Sequence, residues 1–278
     1  MVFTVFCLAV CALLFSVAAR LKPCNPDQPP VVWRELGVDA CYFAIAVVFY
    51  GNVSLLLMRW GVGAALGGRA PAAIKAIEAG YGWLPSLPLV VQMVLVLFVT
   101  DAFQYWLHRL FHGHALWPFH AIHHSPHHVD WTTTYRFHPV QFVIYSASVA
   151  AIVHTLGFSP MVYVALGPFN ILMGAFVHAN LDWDFGPLRY VIATPVFHRW
   201  HHVDDVNVRD KNFAPTFPVF DLVFGTFYMP KGERPQVYGA EGAPEGFLAQ
   251  LAWPFQVIAG RMAKPKASPA ASLDAPAA

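Results

Sequence analysis

Residues 85–112 read PSLPLVVQMVLVLFVTDAFQYWLHRLFH, an apolar stretch that ends with two histidines four positions apart. Residues 85–107 suffice for a membrane-spanning helix, which needs about 20 mostly apolar residues. Because helical residues four apart are neighbours on one face, His108 and His112 are expected to project together where the helix leaves the lipid. The stretch therefore predicts a spanning helix with a pair of metal-ligating side chains at its end.

Four further apolar runs flank this stretch, at residues 1–19, 39–58, 140–156 and 161–179. The first run could be a signal peptide, but it lacks the basic start of one, since no Lys or Arg precedes Arg20. We therefore expect a retained helix there. Only a few residues, around Gly157 and Pro160, separate the last two runs, which predicts a helical hairpin. The runs together predict an all-α integral membrane protein with four to five transmembrane helices.

The composition of the 278-residue chain agrees with a protein that is partly solvated by lipid. Apolar residues make up 57% of the sequence and charged residues only 12%, whereas about a quarter of a soluble domain is charged. The net charge of +1 gives no reason to expect nucleic acid as a partner. All four cysteines precede residue 42 and none forms a CxxC pair, so neither a disulfide framework nor a zinc ribbon is expected.

The placement of basic residues predicts an orientation in the membrane. Eleven of the 17 Lys and Arg residues follow the third apolar run and lie outside the 140–179 hairpin. The positive-inside rule then places this region on the cytoplasmic side, as a helical cap that contains the histidine motifs. The other six basic residues leave the topology of the first two helices open. We expect three segments: N-terminal transmembrane helices and loops at 1–84, a catalytic domain at 85–235, and a C-terminal segment at 236–278, disordered from about residue 262.

All 14 histidines lie between His108 and His202, and three groups of them have helical spacing. We call these groups the first, second and third histidine boxes: His108-x-x-x-His112, His120-x-x-His123-His124 and His198-x-x-His201-His202. Imidazoles spaced in this way can share an ion, and neutral imidazole binds Fe, Zn, Cu and Ni. A merely histidine-rich surface or core would explain isolated residues such as His114 and His154, but explains three spaced boxes poorly. Eight imidazoles exceed the four ligands of a tetrahedral zinc, which favours two ions.

Carboxylates are scarce in this part of the sequence. Di-iron bundles bridged by carboxylates use Glu-x-x-His pairs, but no Glu lies between Glu78 and Glu233. The ligands are therefore expected to be nearly all imidazole. Acids are expected only as hydrogen-bond partners of the outer imidazole nitrogens. The candidates for that role are Asp101, Asp182, Asp204, Asp205 and Asp221.

Across residues 97–230 the sequence resembles the fatty acid hydroxylase/sterol desaturase superfamily of membrane di-iron enzymes. Around the three boxes, the motifs that carry the resemblance are Asp101 with Trp106, Ser125, Arg136-x-His138-Pro139, Phe176-Val177-His178-Ala179-Asn180, Thr194-Pro195, Asn212-Phe213 and Asp221-x-x-Phe224-Gly225-Thr226. Several motifs in one order are more specific than any single box. Gln141 departs from the family's HPxE pattern, which puts a carboxylate role at that position in doubt.

The resemblance implies O2-dependent hydroxylation or desaturation of a lipid or sterol-like substrate at two iron ions. It also implies NAD(P)H-derived electrons delivered by a separate reductase, ferredoxin or cytochrome, because the sequence has no GxGxxG after a strand. It adds His178 as a ligand and leaves His138, Asn180, Asp101 and Asp182 as possible extra ligands or outer partners. The expected metal ligands are His108, His112, His120, His123, His124, His178, His198, His201 and His202.

Two other functions stay open from the residues alone. A zinc-dependent membrane hydrolase also uses histidines, but with fewer ligands and with a Glu or Asp general base beside an open coordination position. A metal transporter or a b-type cytochrome places histidines or acids at membrane depth, where only His154 and His178 come near. The sequence does not determine the substrate, the electron donor or the oligomeric state.

Overall fold

The computed structural model of the chain describes residues 2–46 and 79–260. Apart from one isolated bridge between Val203 and Tyr238, the secondary structure of these residues is helical. The α-helices are α1 Val2–Leu21, α2 Trp33–Ile45, α3 Leu89–Phe111, α4 Trp117–His124, α5 Pro139–Leu156, α6 Pro160–Ala165, α7 Gly167–His178, α8 Pro195–His201, α9 Val219–Val223 and α10 Phe247–Ile258. Short 3-10 helices cover Leu84–Ser86, Trp131–Tyr135 and Gly186–Tyr190. The predicted all-α class is confirmed for the described part of the chain.

Two of the described helices, α3 and α5, are long and apolar enough to cross a membrane, as judged by length and composition. Their apolar windows are only 28% and 17% buried in the protein, so most of their apolar surface faces outward. Two shorter apolar helices cover Ala9–Leu21 and Phe247–Ile258. The predicted total of four to five transmembrane helices exceeds the two that meet this criterion among the described residues. Most of the 39–58 run, like the tail from residue 261, lies outside the described residues.

The hairpin predicted between residues 140 and 179 is present, but its second arm is broken. Gly157 ends α5 in the left-handed conformation, with φ of 84°, and the Ser159 hydroxyl accepts a hydrogen bond from Met161 N at the start of α6. A side chain at residue 157 would also collide with the Tyr81 carbonyl. The predicted single run at 161–179 is two helices that meet at Leu166. The break follows from Pro168, which has no N–H to donate and starts the new helix α7.

Several helix ends meet on one side of the helical layer. Helices α3 and α7 end there, at Phe111 and His178, and α5 begins there, at Pro139. The chain after α1 reaches the same side, where Asp182 N donates to the Lys22 carbonyl. The short helices α4 and α8 pack against these ends. All three histidine boxes therefore lie on this side of the protein, which we call the histidine layer.

Two buried arginines tie the layer together. The Arg136 Nε atom lies 2.6 Å from an Asp39 carboxylate oxygen, which joins α2 to the chain after the second box. Arg199, inside the third box, is fully buried and donates to Asn25, Gln28, Val129 and Tyr238. The segment after α1 and the segment before α10 are therefore held against the third box.

Candidate metal centre

Local sequence fixes the second and third boxes on short helices. Pro118 begins α4, and Pro195 begins α8 after Thr194, whose hydroxyl accepts a hydrogen bond from Phe197 N at 3.2 Å. Proline at the first turn and threonine at the N-cap are favourable because the first helical N–H groups have no partner within the helix. The boxes therefore present their imidazoles at fixed angles.

The structure brings all nine predicted ligands together in two buried groups. The five-histidine group is His108, His112, His120, His124 and His201, and the four-histidine group is His123, His178, His198 and His202. Within each group, one ring nitrogen of every residue lies within 4.8 Å of the others. This spacing suits side chains that surround one ion.

Each three-histidine box contributes to both groups. On α4, His120 and His124 belong to the five-histidine group and His123 to the four-histidine group. On α8, His198 and His202 join the four-histidine group, whereas His201 joins the other. Around a helix, the fourth residue after a given one lies about 40° from it in one direction, and the third lies about 60° from it in the opposite direction. The first and last histidines of each box therefore point the same way, and the middle histidine is directed away from them. The spacing suggested that the imidazoles of one box can share an ion, but the second and third boxes are each divided between the two groups.

The inner nitrogens of both groups crowd one another. In the five-histidine group, His120 Nε2 lies 2.9 Å from His108 Nε2 and 3.2 Å from His124 Nε2. In the four-histidine group, His178 Nε2 lies 3.2 Å from His123 Nε2 and 3.0 Å from His198 Nε2. Two neutral imidazoles whose lone pairs face each other repel, and a cation between them removes that repulsion.

The outer nitrogens of four rings have acceptors that fix this orientation. His108 Nδ1 and His201 Nδ1 lie 2.8 Å from the carbonyl oxygens of Phe213 and Lys211. His178 Nδ1 lies 2.7 Å from the Gly174 carbonyl. His112 Nδ1 lies 2.8 Å from an Asp210 carboxylate oxygen. Each Nδ1–H donates outward, so the Nε2 lone pair is directed into the group.

Gln141 performs the same role for His120. Its amide nitrogen is placed 2.9 Å from His120 Nδ1, while its amide oxygen is buried without a hydrogen-bond partner. The oxygen and nitrogen of an amide are assigned from the hydrogen bonds around them. With the oxygen placed toward the ring, it accepts from His120 Nδ1–H and is no longer without a partner. Gln141 thus serves as a neutral acceptor where the family pattern has a carboxylate.

The chemistry of the donor set fits a metal such as iron. His112 Nε2 and His201 Nε2 are buried without a hydrogen-bond partner in the five-histidine group, and an ion would satisfy both. Burial, reinforced by neighbouring imidazoles, lowers the pKa of the second-box and third-box histidines well below the usual value. These imidazoles are therefore neutral near pH 7, as metal ligation requires.

The four residues expected as extra ligands or outer partners have other contacts. His138 caps α5, where its Nδ1 accepts from Val140 N at 3.1 Å and its Nε2 lies 3.2 Å from the Leu251 carbonyl. Asn180 pairs with Asn25, Asp101 accepts from Phe217 N, and Asp182 pairs with Arg234. The hydrogen bonds of the described residues bring none of the four to a clustered ring.

The acid at the site is Asp210, which sequence reasoning did not single out. It precedes Lys211-Asn212-Phe213, and both Asp210 and Asn212 have left-handed backbone angles, with φ of 63° and 57°. Asp and Asn tolerate this conformation better than other non-glycine residues. Asp221 supports the same loop, because its carboxylate accepts from Phe213 N and Ala214 N. The Asn212-Phe213 motif, two positions after Asp210, was the sequence feature that could have pointed to this acid.

Comparisons with known proteins agree with this site. The model of the fatty acid hydroxylase family matches residues 93–226, a range that includes both groups. Ornithine lipid hydroxylase OlsE of Rhizobium tropici is 33% identical over 210 residues, which cover 72% of this chain and 63% of that protein. Alkylglycerol monooxygenase of Danio rerio is 32% identical over 145 residues, which cover 50% of this chain and 31% of that protein.

A third relative is very-long-chain aldehyde decarbonylase GL1-6 of Oryza sativa subsp. indica, 30% identical over 159 residues, or 52% of this chain and 24% of that protein. The chain thus spans less than two thirds of these relatives' lengths. No solved structure matches it. All three relatives belong to one superfamily. Residues 93–226, which contain both histidine groups, thus match the fatty acid hydroxylase family, and over this region the chain is similar to members of the fatty acid hydroxylase/sterol desaturase superfamily.

Proposed function

We propose that the protein is an O2-dependent di-iron oxidoreductase of the membrane that hydroxylates a lipid. The observation that carries the proposal is the pair of buried histidine groups, with ligand atoms within 4.8 Å of one another in each. Nine imidazoles are more than one ion can coordinate, so they suit two. The groups lie beside the ends of α3 and α5, the two described helices that are long and apolar enough to cross a membrane, and we propose that the lipid reaches them there.

We assign one iron to the five-histidine group and the other to the four-histidine group. Iron at such sites supplies the activation of O2 and the oxidation of an unactivated C–H bond. The chain's own contribution is to keep the imidazoles neutral and to aim their Nε2 atoms through the contacts of Phe213, Lys211, Gly174 and Asp210. All nine rings are also buried, which limits the contact of the reacting atoms with bulk water.

The activities for which two relatives are named, ornithine lipid hydroxylase and alkylglycerol monooxygenase, support oxygen insertion into a lipid over desaturation. We propose that a separate reductase, ferredoxin or cytochrome supplies NAD(P)H-derived electrons. We also propose that the histidine groups lie on the cytoplasmic side, because eleven of the 17 Lys and Arg residues follow α3 in the sequence and lie outside the 140–179 hairpin.

A zinc hydrolase is less consistent with this geometry. Such an enzyme needs a carboxylate beside an open coordination position, free to act as a base. Among the described residues, Asp210 is the acid hydrogen-bonded to a clustered ring, and it contacts the outer nitrogen of His112 rather than an inner one. The nine imidazoles also exceed the four ligands that one tetrahedral zinc uses.

The proposal is tested by metal analysis together with oxygen labelling. Protein purified in lipid nanodiscs should hold close to two irons per chain. Lipid mass spectrometry of cells with and without the gene, grown under 18O2, should show a lipid that gains one 18O atom. A product that loses two hydrogens without label would indicate desaturation instead. Full activity with a single tightly bound metal, or with zinc alone, would contradict the di-iron assignment.

A further inference from the structure

A small cavity lies beside the five-histidine group. His112, His124 and His201 line it, together with the acids Asp204, Asp210 and Glu241. Its free volume is about 20 Å³, which is room for roughly one water molecule. A lipid chain does not fit in such a space, so the cavity is not the site for the substrate proposed above.

The cavity lies next to a larger groove. Both spaces are lined by Val203, Asp204, Arg209 and Glu241, and the groove has a volume of about 1000 Å³. Asp205, Glu233 and Val237 line the groove and are exposed, so it is open to solvent. The exposed groove and the cavity that three of the five histidines line are therefore separated by no more than the side chains that they share.

The lining of the cavity favours cations. It contains three acids and one arginine, Arg209, which is itself paired with Asp204 at 3.0 Å. Two of its histidines, His112 and His201, have buried Nε2 atoms without a hydrogen-bond partner. A cleft with excess negative charge raises the local concentration of cations. The two nitrogens without a hydrogen-bond partner, at the histidine side of the cavity, are available to bind such a cation.

The four-histidine group has different surroundings. None of its members lines the cavity or the groove. The Phe137 ring stacks on His123 with centroids 4.4 Å apart, and the buried Arg199 guanidinium contacts the His178 carbonyl. The Phe137 ring fills the space beside His123, and the fixed positive charge of Arg199 repels a cation beside His178.

We propose that the cavity between the groove and the five-histidine group is the route by which metal enters and leaves, so that the ion in this group exchanges with solution before the ion in the four-histidine group. The inference rests on the proposed two-iron site but not on the substrate or on turnover. It concerns rates of metal release, which are measured without activity.

The test is iron release from protein loaded anaerobically with Fe²⁺ and held in nanodiscs. Ferrozine, a chelator larger than the cavity, reports released iron by colour, and total iron is measured separately. We expect a fast and a slow phase of one iron each. Ala240→Val, which narrows the cavity, should slow the fast phase by about tenfold because packed interiors have little spare volume. Glu241→Gln should slow it by roughly threefold through weaker attraction of the ion to the cavity mouth.

Matched controls lie on the same segment outside the cavity. Ala243→Val adds the same bulk, and Glu245→Gln removes an exposed acid that pairs with Arg34; both should leave the two phases unchanged. Should Ala240→Val fail to fold, Glu241→Gln still decides, because it changes an exposed side chain without changing its size. Two irons that leave in one phase, or a fast phase that neither cavity variant alters, would overturn the route alone. A wild-type protein that binds only one iron would overturn the di-iron function as well.

Discussion

At the scale of single residues, His178 is the clustered histidine that belongs to no box. Its inner nitrogen lies within hydrogen-bond distance of His123 and His198, and its outer nitrogen is held by the Gly174 carbonyl. It therefore links the second and third boxes from the end of α7. The spacing of the sequence alone gave no reason to choose it, since its partners are 55 and 20 positions away.

Replacement of His178 with Ala tests this link. We expect the variant to insert in the membrane normally but to lose turnover and roughly one iron per chain, because even changes beyond the ligands cost about 10–100-fold in affinity or activity. His154→Ala is the matched control, since His154 lies on α5 outside both groups and its ring bonds to the Ala150 carbonyl of the same helix. Near-normal iron and turnover in His178→Ala would mean that the site consists of the three boxes alone.

Gln141 offers a second test at the residue scale. Gln141→Leu removes the acceptor of His120 Nδ1–H, so we expect iron affinity of the five-histidine group to fall by about 10–100-fold. Gln141→Glu keeps an acceptor in the same place and should retain both irons. The measurement is iron content against free-iron concentration for each variant. Equal affinity in the Leu variant and the wild type would show that His120 needs no such partner.

At the scale of elements, Arg199 connects the segment after α1, the third box and the segment before α10. Lysine keeps the charge but has fewer donors and no planar fork. We expect Arg199→Lys to lower the free energy of unfolding by about 3 kcal/mol, because several buried acceptors lose their partner. Thermal unfolding in nanodiscs measures this change, and limited proteolysis should show faster cleavage near residue 25.

The exposed Arg34, paired with Glu245 on the surface, provides the control. Arg34→Lys should leave the unfolding temperature nearly unchanged, since exposed ion pairs contribute little. If Arg199→Lys were equally silent, the buried network would not be what holds these segments together.

Elements also show where sequence reasoning succeeds and where it stops. The boxes and the hairpin turn depend on local spacing and on Gly157, so they were predictable. The division of nine imidazoles into five and four was not, because it depends on how α4 and α8 face each other across the layer. Likewise, Asp210 and the carbonyls of Lys211 and Phe213 reach the rings only through the left-handed turns at residues 210 and 212. Long-range contacts of this kind leave no periodic signal.

At the scale of the whole molecule, the convergence of helix ends makes the topology testable. Val237 borders the groove, and Met161 begins the second arm of the hairpin at the far end of α5; both are exposed. We expect cysteine at Val237 to resist a membrane-impermeant maleimide in intact cells and to react after permeabilisation, because the histidine layer is proposed to be cytoplasmic. Cysteine at Met161 should react in intact cells.

The background for this experiment is Cys41→Ser, since Cys41 is an exposed native thiol. The parent without an added cysteine gives the labelling baseline. The reverse labelling pattern would place the metal groups on the far side of the membrane and would contradict the orientation inferred from the Lys and Arg residues.

The continuity of α3 has a mechanical consequence. The same continuous helix that is long and apolar enough to cross a membrane carries His108, and His112 directly follows it. The loop whose Phe213 carbonyl contacts His108 is also bound to α3, because Phe217 N donates to the Asp101 carboxylate. We therefore expect the helix and this loop to move together. A tilt of about 5° displaces the end of an arm of about 18 Å by roughly 1.5 Å, which exceeds the tolerance of about 0.5 Å for such a site. Because tilting is one way in which a spanning helix accommodates a change in bilayer thickness, we expect the geometry of the five-histidine group to respond to the thickness of the membrane around it.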